Sequence, residues 1–338
     1  PCKPGETMNS AILPGLALVL LAGAFQGSFL FPSKYMKGWK WENYWLIFAV
    51  TAYLICPWLV AAATIPRLAE VYIGISGSAV LSTILFGMAW GAGALTFGLG
   101  VDAVGLALGF AVILGVAATA GAVIPLMTQG ADARQTLLTG IALAIMLAGV
   151  SVCSFAGRWK ETVATGGRPY GRGIALCVAS GLLSACGNLG FAFGGEVSAR
   201  AQSLGADAQL AGNALWTLLT LPLFLLNAGY AVYLLSKNKS ALNYRAPGSC
   251  RMLFLGIVMG VAWMAGISIY GVGARRLGPL GPSLGWGILM STMVLVANVL
   301  GVVSGEWKGA PRRATRQLLF GLALLLVAIA GLGYANRA

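Results

Sequence analysis

Ten apolar runs of about twenty residues each dominate this chain, at roughly 9–31, 44–63, 77–98, 103–126, 136–156, 173–194, 209–235, 252–272, 283–304 and 317–335. As a helix rising 1.5 Å per residue, each run is long enough to cross a hydrocarbon core of about 30 Å. The bilayer is therefore the solvent for most of the molecule. Only 9% of the residues are charged and 58% are hydrophobic, so a soluble fold could not cover its surface. Lipid offers the backbone no hydrogen-bond partners, and runs of this length satisfy it internally as helices. The expected fold class is an all-α integral membrane protein with ten transmembrane helices. Glycine, at 48 of 338 residues, suits close helix approach in lipid.

The composition also removes whole classes of chemistry. There is no histidine, which excludes Ser-His-Asp and Cys-His catalysis and histidine metal sites. Four of the six cysteines (Cys56, Cys153, Cys177, Cys186) lie inside apolar runs; Cys2 and Cys250 do not. No disulfide framework or CxxC site is legible. Gly98-x-Gly100 is no dinucleotide fingerprint, because no strand or acidic partner surrounds it. No cofactor and no metal are expected.

The net charge of +13 does not point to nucleic acid, because the basic residues cluster between apolar runs. The odd-numbered connections hold 15 of the 22 lysines and arginines, and the even-numbered connections and termini hold 7. The positive-inside rule then places the odd connections in the cytoplasm and both termini outside it, as expected for a multi-pass inner-membrane protein. Residues 1–8 read as a leader or linker, and 157–172 as a basic cytoplasmic linker.

An internal repeat organises the runs. GMAWGAGALTFGLGVDAVG (87–105) matches GVAWMAGISIYGVGARRLG (260–278) at a fixed offset of 173, with Trp90 against Trp263 and Gly93 against Gly266. A weaker echo pairs GLALVLLAG (15–23) with GIALCVASG (173–181). Helix one thus matches helix six, and three matches eight. The expected organisation is two five-helix repeats, 9–156 and 173–338. Five is odd, so the second repeat enters the membrane inverted, as in many secondary transporters.

A transporter of this kind needs a site near the midplane between the repeats. No run carries a charge near its middle, which favours a neutral, hydroxylated solute over a charged one. Trp90 and Trp263 lie near the centres of their runs, whereas membrane tryptophans ordinarily sit at the interfaces. An indole offers a flat face to the C–H face of a pyranose and an N–H to a hydroxyl; the other reading is a packing seam. Gln26, Asn188, Asn213 and Asn298 are amides inside runs, able to bind hydroxyls or other helices. Tyr270, Trp216, Trp286 and Tyr53 follow as aromatic candidates. The acids Asp102, Glu196, Asp207 and Glu306 lie at helix ends, and Glu196 is the candidate for proton coupling. Trp39, Trp41, Tyr44 and Trp45, beside Lys34, Lys37 and Lys40, read as an interfacial anchor.

FPSKYMKGWKWENYW (31–45), FGMAWGAGALTFGLGVDAVGLALG (86–109) and VVSGEWKGAPRR (302–313) resemble the L-rhamnose–proton symporter family (RhaT) of the drug/metabolite transporter superfamily. The resemblance runs from residue 9 through nearly all of the chain. It implies ten helices in two inverted halves and proton-driven uptake of L-rhamnose or a related monosaccharide, with protons and a small neutral sugar as partners. An exporter of another small solute is the alternative within the superfamily. A membrane-embedded enzyme is disfavoured by the absent histidine and the lack of paired intramembrane acids.

Overall fold

The computed structural model describes residues 4–104, 106–160 and 170–336. Ten long helices cross it: α1 (Pro4–Ser28), α2 (Trp41–Thr64), α3 (Gly77–Val104), α4 (Leu106–Thr128), α5 (Ala133–Lys160), α6 (Tyr170–Phe193), α7 (Asn213–Lys237), α8 (Ser249–Arg276), α9 (Gly281–Val303) and α10 (Arg312–Ala335). Among the described residues there is no strand. All ten are long and apolar enough to span a membrane.

The helices outrun the apolar stretches at several ends. α1 begins at Pro4, inside the segment expected as a leader, and α5 continues to Lys160. Cys2, residues 161–169 of the expected linker and Gly105 lie outside the described residues. The third connection is shorter than expected: Leu99–Val104 stays helical and α4 starts at Leu106. Continuing the helix satisfies backbone groups that a loop in the headgroup region would leave to water. A short helix, Gly195–Ser203, follows α6.

The helix pairing obeys one exchange. α1 packs on α8 and α9, while α6 packs on α3 and α4. α4 packs on α5 and α9 on α10; α2 packs on α8 and α7 on α3. α2–α7, α4–α9 and α5–α10 pack on each other. Swapping each helix for the one five places along returns the same set, the pattern expected of two five-helix repeats. The glycine seams follow it. A Cβ on Gly23 of α1 would lie 2.5 Å from Cβ of Thr292 on α9; one on Gly181 of α6 would lie 2.7 Å from Cβ of Val116 on α4. Gly23 and Gly181 close the two copies of the echo at 15–23 and 173–181, and both let helices touch through their backbones.

α2 is not a uniform α-helix. Val50–Ile55 forms a π-helical turn, with the Cys56 N–H reaching Thr51 O. Pro57 lacks an N–H and cannot serve the carbonyl of Tyr53 four residues back, and the widened turn takes up that defect. The start of α2 is stapled to the α7–α8 connection. Glu42 Oε1 accepts from Ser240 Oγ at 2.6 Å and Asn238 Nδ2 at 2.9 Å; Asn43 Nδ2 donates to Ser240 O at 2.9 Å. The aromatic anchor packs within itself and across this staple: Trp41 stacks on Trp45 at 5.0 Å, and Trp39 meets the edge of Tyr244 at 5.1 Å.

Candidate functional site

A cavity of about 500 Å³ lies between the halves, within the usual range for small-molecule sites. Its wall includes Gln26, Trp45, Tyr53, Trp90, Phe97, Ser154, Ser184, Trp263, Trp286 and Asn298. Its rim is formed by Leu30, Gly157, Gly301, Glu306 and Trp307, at the end that carries the odd-numbered connections. No lining residue comes from the connections at the other end. That end is packed shut. Phe191 stacks on Trp216 at 5.0 Å and 2° and lies 5.6 Å from Tyr270, with the Arg275 guanidinium 5.9 Å over the Phe191 ring. Arg275 also donates to Ser198 Oγ at 2.5 Å and to Ala208 O at 3.2 Å.

Trp90 and Trp263 meet on the cavity wall, their rings 5.6 Å apart and tilted by 35°. A pyranose cannot enter between rings that already touch, so the pair is a platform and not a sandwich. The two members are unequal. Trp263 is 5% exposed and sits edge-on to Tyr53 at 4.8 Å and 81°. Trp90 is only half-buried and lies over α6, where a Cβ on Gly187 would come 2.5 Å from its ring. Among the described residues neither indole N–H donates a hydrogen bond. The other indoles on the wall differ: Trp45 Nε1 donates to Asn227 Oδ1 at 3.1 Å and Trp286 Nε1 to Ala117 O at 3.1 Å.

The amides divide by place. Gln26 lines the cavity, and its Nε2 donates to Trp263 O at 2.8 Å. Asn298 lines it too, with Nδ2 donating to Val294 O at 2.8 Å. Asn188 does not line it. It is fully buried; Nδ2 donates to Gly121 O at 2.7 Å and Pro282 O at 2.8 Å, and Oδ1 accepts from Tyr270 OH at 2.5 Å. Asn188 thus ties α6 to α4, α8 and α9, and Tyr270 belongs to the same knot. Asn213 is buried at the closed end, where its Nδ2 meets Thr64 Oγ1 at 3.1 Å. Trp216 is the partner of Phe191 in the closed layer, and its Nε1 is buried with no partner among the described residues.

Glu196 is exposed beyond the closed end, in the first turn of Gly195–Ser203, and does not line the cavity. Its carboxylate accepts from Ser76 N at 2.5 Å and Ser76 Oγ at 2.9 Å, which leaves it a loop staple at the start of α3. The acid on the cavity is Glu306, which is paired with Lys34; Lys34 Nζ also donates to Ser304 Oγ at 2.6 Å. Sequence reasoning noted Glu306 only as one acid at a helix end, although EWKG was part of a quoted motif. Ser184 and Ser154 carry no sequence signal of their own, because helical serines in membranes are common. The Asp102 side chain lies outside what the structure describes. No group of three or more metal-ligating side chains occurs among the described residues.

Chemically, the wall offers a mainly apolar surface with an indole platform, two unused indole N–H groups, amide oxygens and hydroxyls, and one carboxylate at the rim. That set suits a neutral molecule with an apolar face and a hydroxylated edge.

Comparison with known proteins covers nearly the whole chain. Residues 8–336 match the family described as L-rhamnose-proton symport protein (RhaT). L-rhamnose-proton symporters of Citrobacter koseri and Klebsiella pneumoniae are each 28% identical, over 97% of this chain and 100% of theirs. One from Escherichia coli is 27% identical over the same shares. A solved crystal structure superposes with a TM-score of 0.55 at 15% identity, covering 97% of this chain and 99% of that one, a likeness of fold alone. The chain belongs to the L-rhamnose–proton symport protein (RhaT) family.

Proposed function

We propose that this protein imports L-rhamnose or a closely related monosaccharide together with a proton, by alternating access. The observation that carries the reading is the central cavity: sealed at one end by Phe191, Trp216, Tyr270 and Arg275, and rimmed at the other by Leu30, Gly157, Glu306 and Trp307. Its walls hold no charge until Glu306 at the rim. The repeat relates Phe97 to Tyr270, yet Phe97 lines the cavity and Tyr270 is buried in the sealed layer. Equivalent residues in unequal surroundings at the two ends are what a two-fold transporter shows in one of its two states. With the odd connections cytoplasmic, this state faces inward.

The Trp90 face and the indole N–H groups bind the sugar, with Gln26 and Asn298 reading hydroxyls. Asn188, Tyr270, Asn213 and Trp216 act through packing at the sealed end. Proton coupling runs through Glu306 and its partner Lys34; Glu196 does not line the cavity and is held by Ser76 instead.

The test is uptake of labelled L-rhamnose by proteoliposomes. Accumulation driven by an acid exterior and abolished by a protonophore is expected. Uptake that equilibrates but never accumulates under a proton gradient would remove symport. No uptake of any monosaccharide would remove the sugar reading.

A further inference from the structure

The two sides of the indole platform carry matching clusters. On one, Trp263 and Gly266 of α8 face Gln26 of α1. On the other, Trp90 and Gly93 of α3 face Ser184 of α6. The glycines correspond at the offset of 173, and Gln26 and Ser184 correspond at the offset of 158 that relates 15–23 to 173–181. The geometry corresponds as well. A Cβ on Gly266 would lie 2.7 Å from Gln26 Nε2, and one on Gly93 would lie 2.8 Å from Ser184 Oγ. In each cluster the glycine three residues after the tryptophan admits a polar side chain from a helix of the other half.

The clusters differ in what they present. Gln26 commits its Nε2 to Trp263 O, so what remains for a ligand is the acceptor Oε1. Ser184 commits nothing. Ser180, one turn earlier, makes the bond from α6 to Gly93 O at 3.0 Å, which relieves Ser184 of that task. Ser291 and Thr292 of α9 bond back along their helix, to Gly287 O and Ile288 O, both at 2.8 Å. Ser184 lines the cavity, and among the described residues its Oγ has no partner. A free hydroxyl that can both donate and accept, opposite an amide acceptor, gives the platform a direction.

We propose that Ser184 is a specificity-determining residue, its hydroxyl bonding one hydroxyl of the bound sugar while Gln26 accepts from another across the Trp90–Trp263 platform. The proposal rests on the sugar reading above. It is tested by counterflow of L-rhamnose and its monodeoxy analogues in proteoliposomes, normalised to folded protein. Ser184→Ala is expected to raise the KM for L-rhamnose about tenfold, the loss of one hydrogen bond, with the maximal rate within twofold. Ser184→Cys, which nearly keeps the volume, should behave like Ala, and Ser184→Thr should stay near wild type. One monodeoxy analogue, poor for wild type, should equal L-rhamnose for Ser184→Ala. A wild-type KM and an unchanged ranking of analogues in both Ala and Cys variants would overturn the proposal while leaving the sugar reading intact. Absence of counterflow by the wild type with every sugar would overturn both.

Discussion

Two tryptophans that occupy the same place in the repeat sit in different surroundings. Trp263 is wedged against Tyr53 and Phe48, whereas Trp90 leaves a face to the cavity. Trp90→Ala is therefore expected to cut L-rhamnose uptake at least tenfold with little change in melting temperature, and Trp90→Phe to keep part of it, since the apolar face survives. Trp263→Ala should instead open a void worth roughly 3 kcal/mol, read as a lower melting temperature of detergent-solubilised protein. Equal loss of uptake at equal stability in both variants would contradict this asymmetry. The same distinction applies to the amides. Asn188→Ala breaks three hydrogen bonds in a buried knot, each worth roughly 0.6 kcal/mol in a membrane, and should lower stability. A tenfold higher KM at unchanged stability would return Asn188 to the binding site.

Among the elements, α6 has several neighbours to reconcile. It packs on both α3 and α4, supplies Asn188 to the sealed end and Ser184 to the cavity, and passes Trp90 at Gly187. A Cβ at residue 187 has no room unless the indole moves. Gly187→Ala should leave the protein inserted but tilt Trp90 off the wall, lowering uptake at least tenfold with the fluorescence of the shifted indole as an independent readout. Wild-type uptake would mean that the position of Trp90 is not critical. α2 makes the complementary case. Its WENYW stretch read as an interfacial anchor, and the aromatics do cluster there. The buried bonds of Glu42 and Asn43 to Ser240 were not legible, because their partners lie almost two hundred residues away. The π-helical turn that carries Tyr53 was equally hidden; only Pro57 hinted at it.

For the whole molecule the open question is how sugar and proton movements are joined. Glu306→Gln keeps size and polarity but cannot carry a proton or pair with Lys34. It should abolish accumulation under a proton gradient while L-rhamnose counterflow persists within about threefold. Glu196→Gln should accumulate normally, and the reverse result would restore Glu196 as the coupling acid. Orientation is open to a separate check. A reporter active only outside the cytoplasm should be active at the C-terminus and inactive within 236–251; the reverse pattern would overturn the inward-facing assignment.

Hydrophobic run length, charge scarcity and the Trp90/Trp263 repeat determined the number of helices, the membrane as solvent and the neighbourhood of the cavity. Those properties depend on periodicity and composition, which are local along a chain. The tertiary structure decided the rest. It decided which amides line the cavity and which are buried between helices away from it, since Gln26 and Asn188 are indistinguishable as residues in apolar runs. It also decided that Glu306 reaches the rim while Glu196 staples a loop. Helix rotation and the contacts between halves set these outcomes, and a membrane helix that is apolar all round carries almost no sequence record of which face it turns inward.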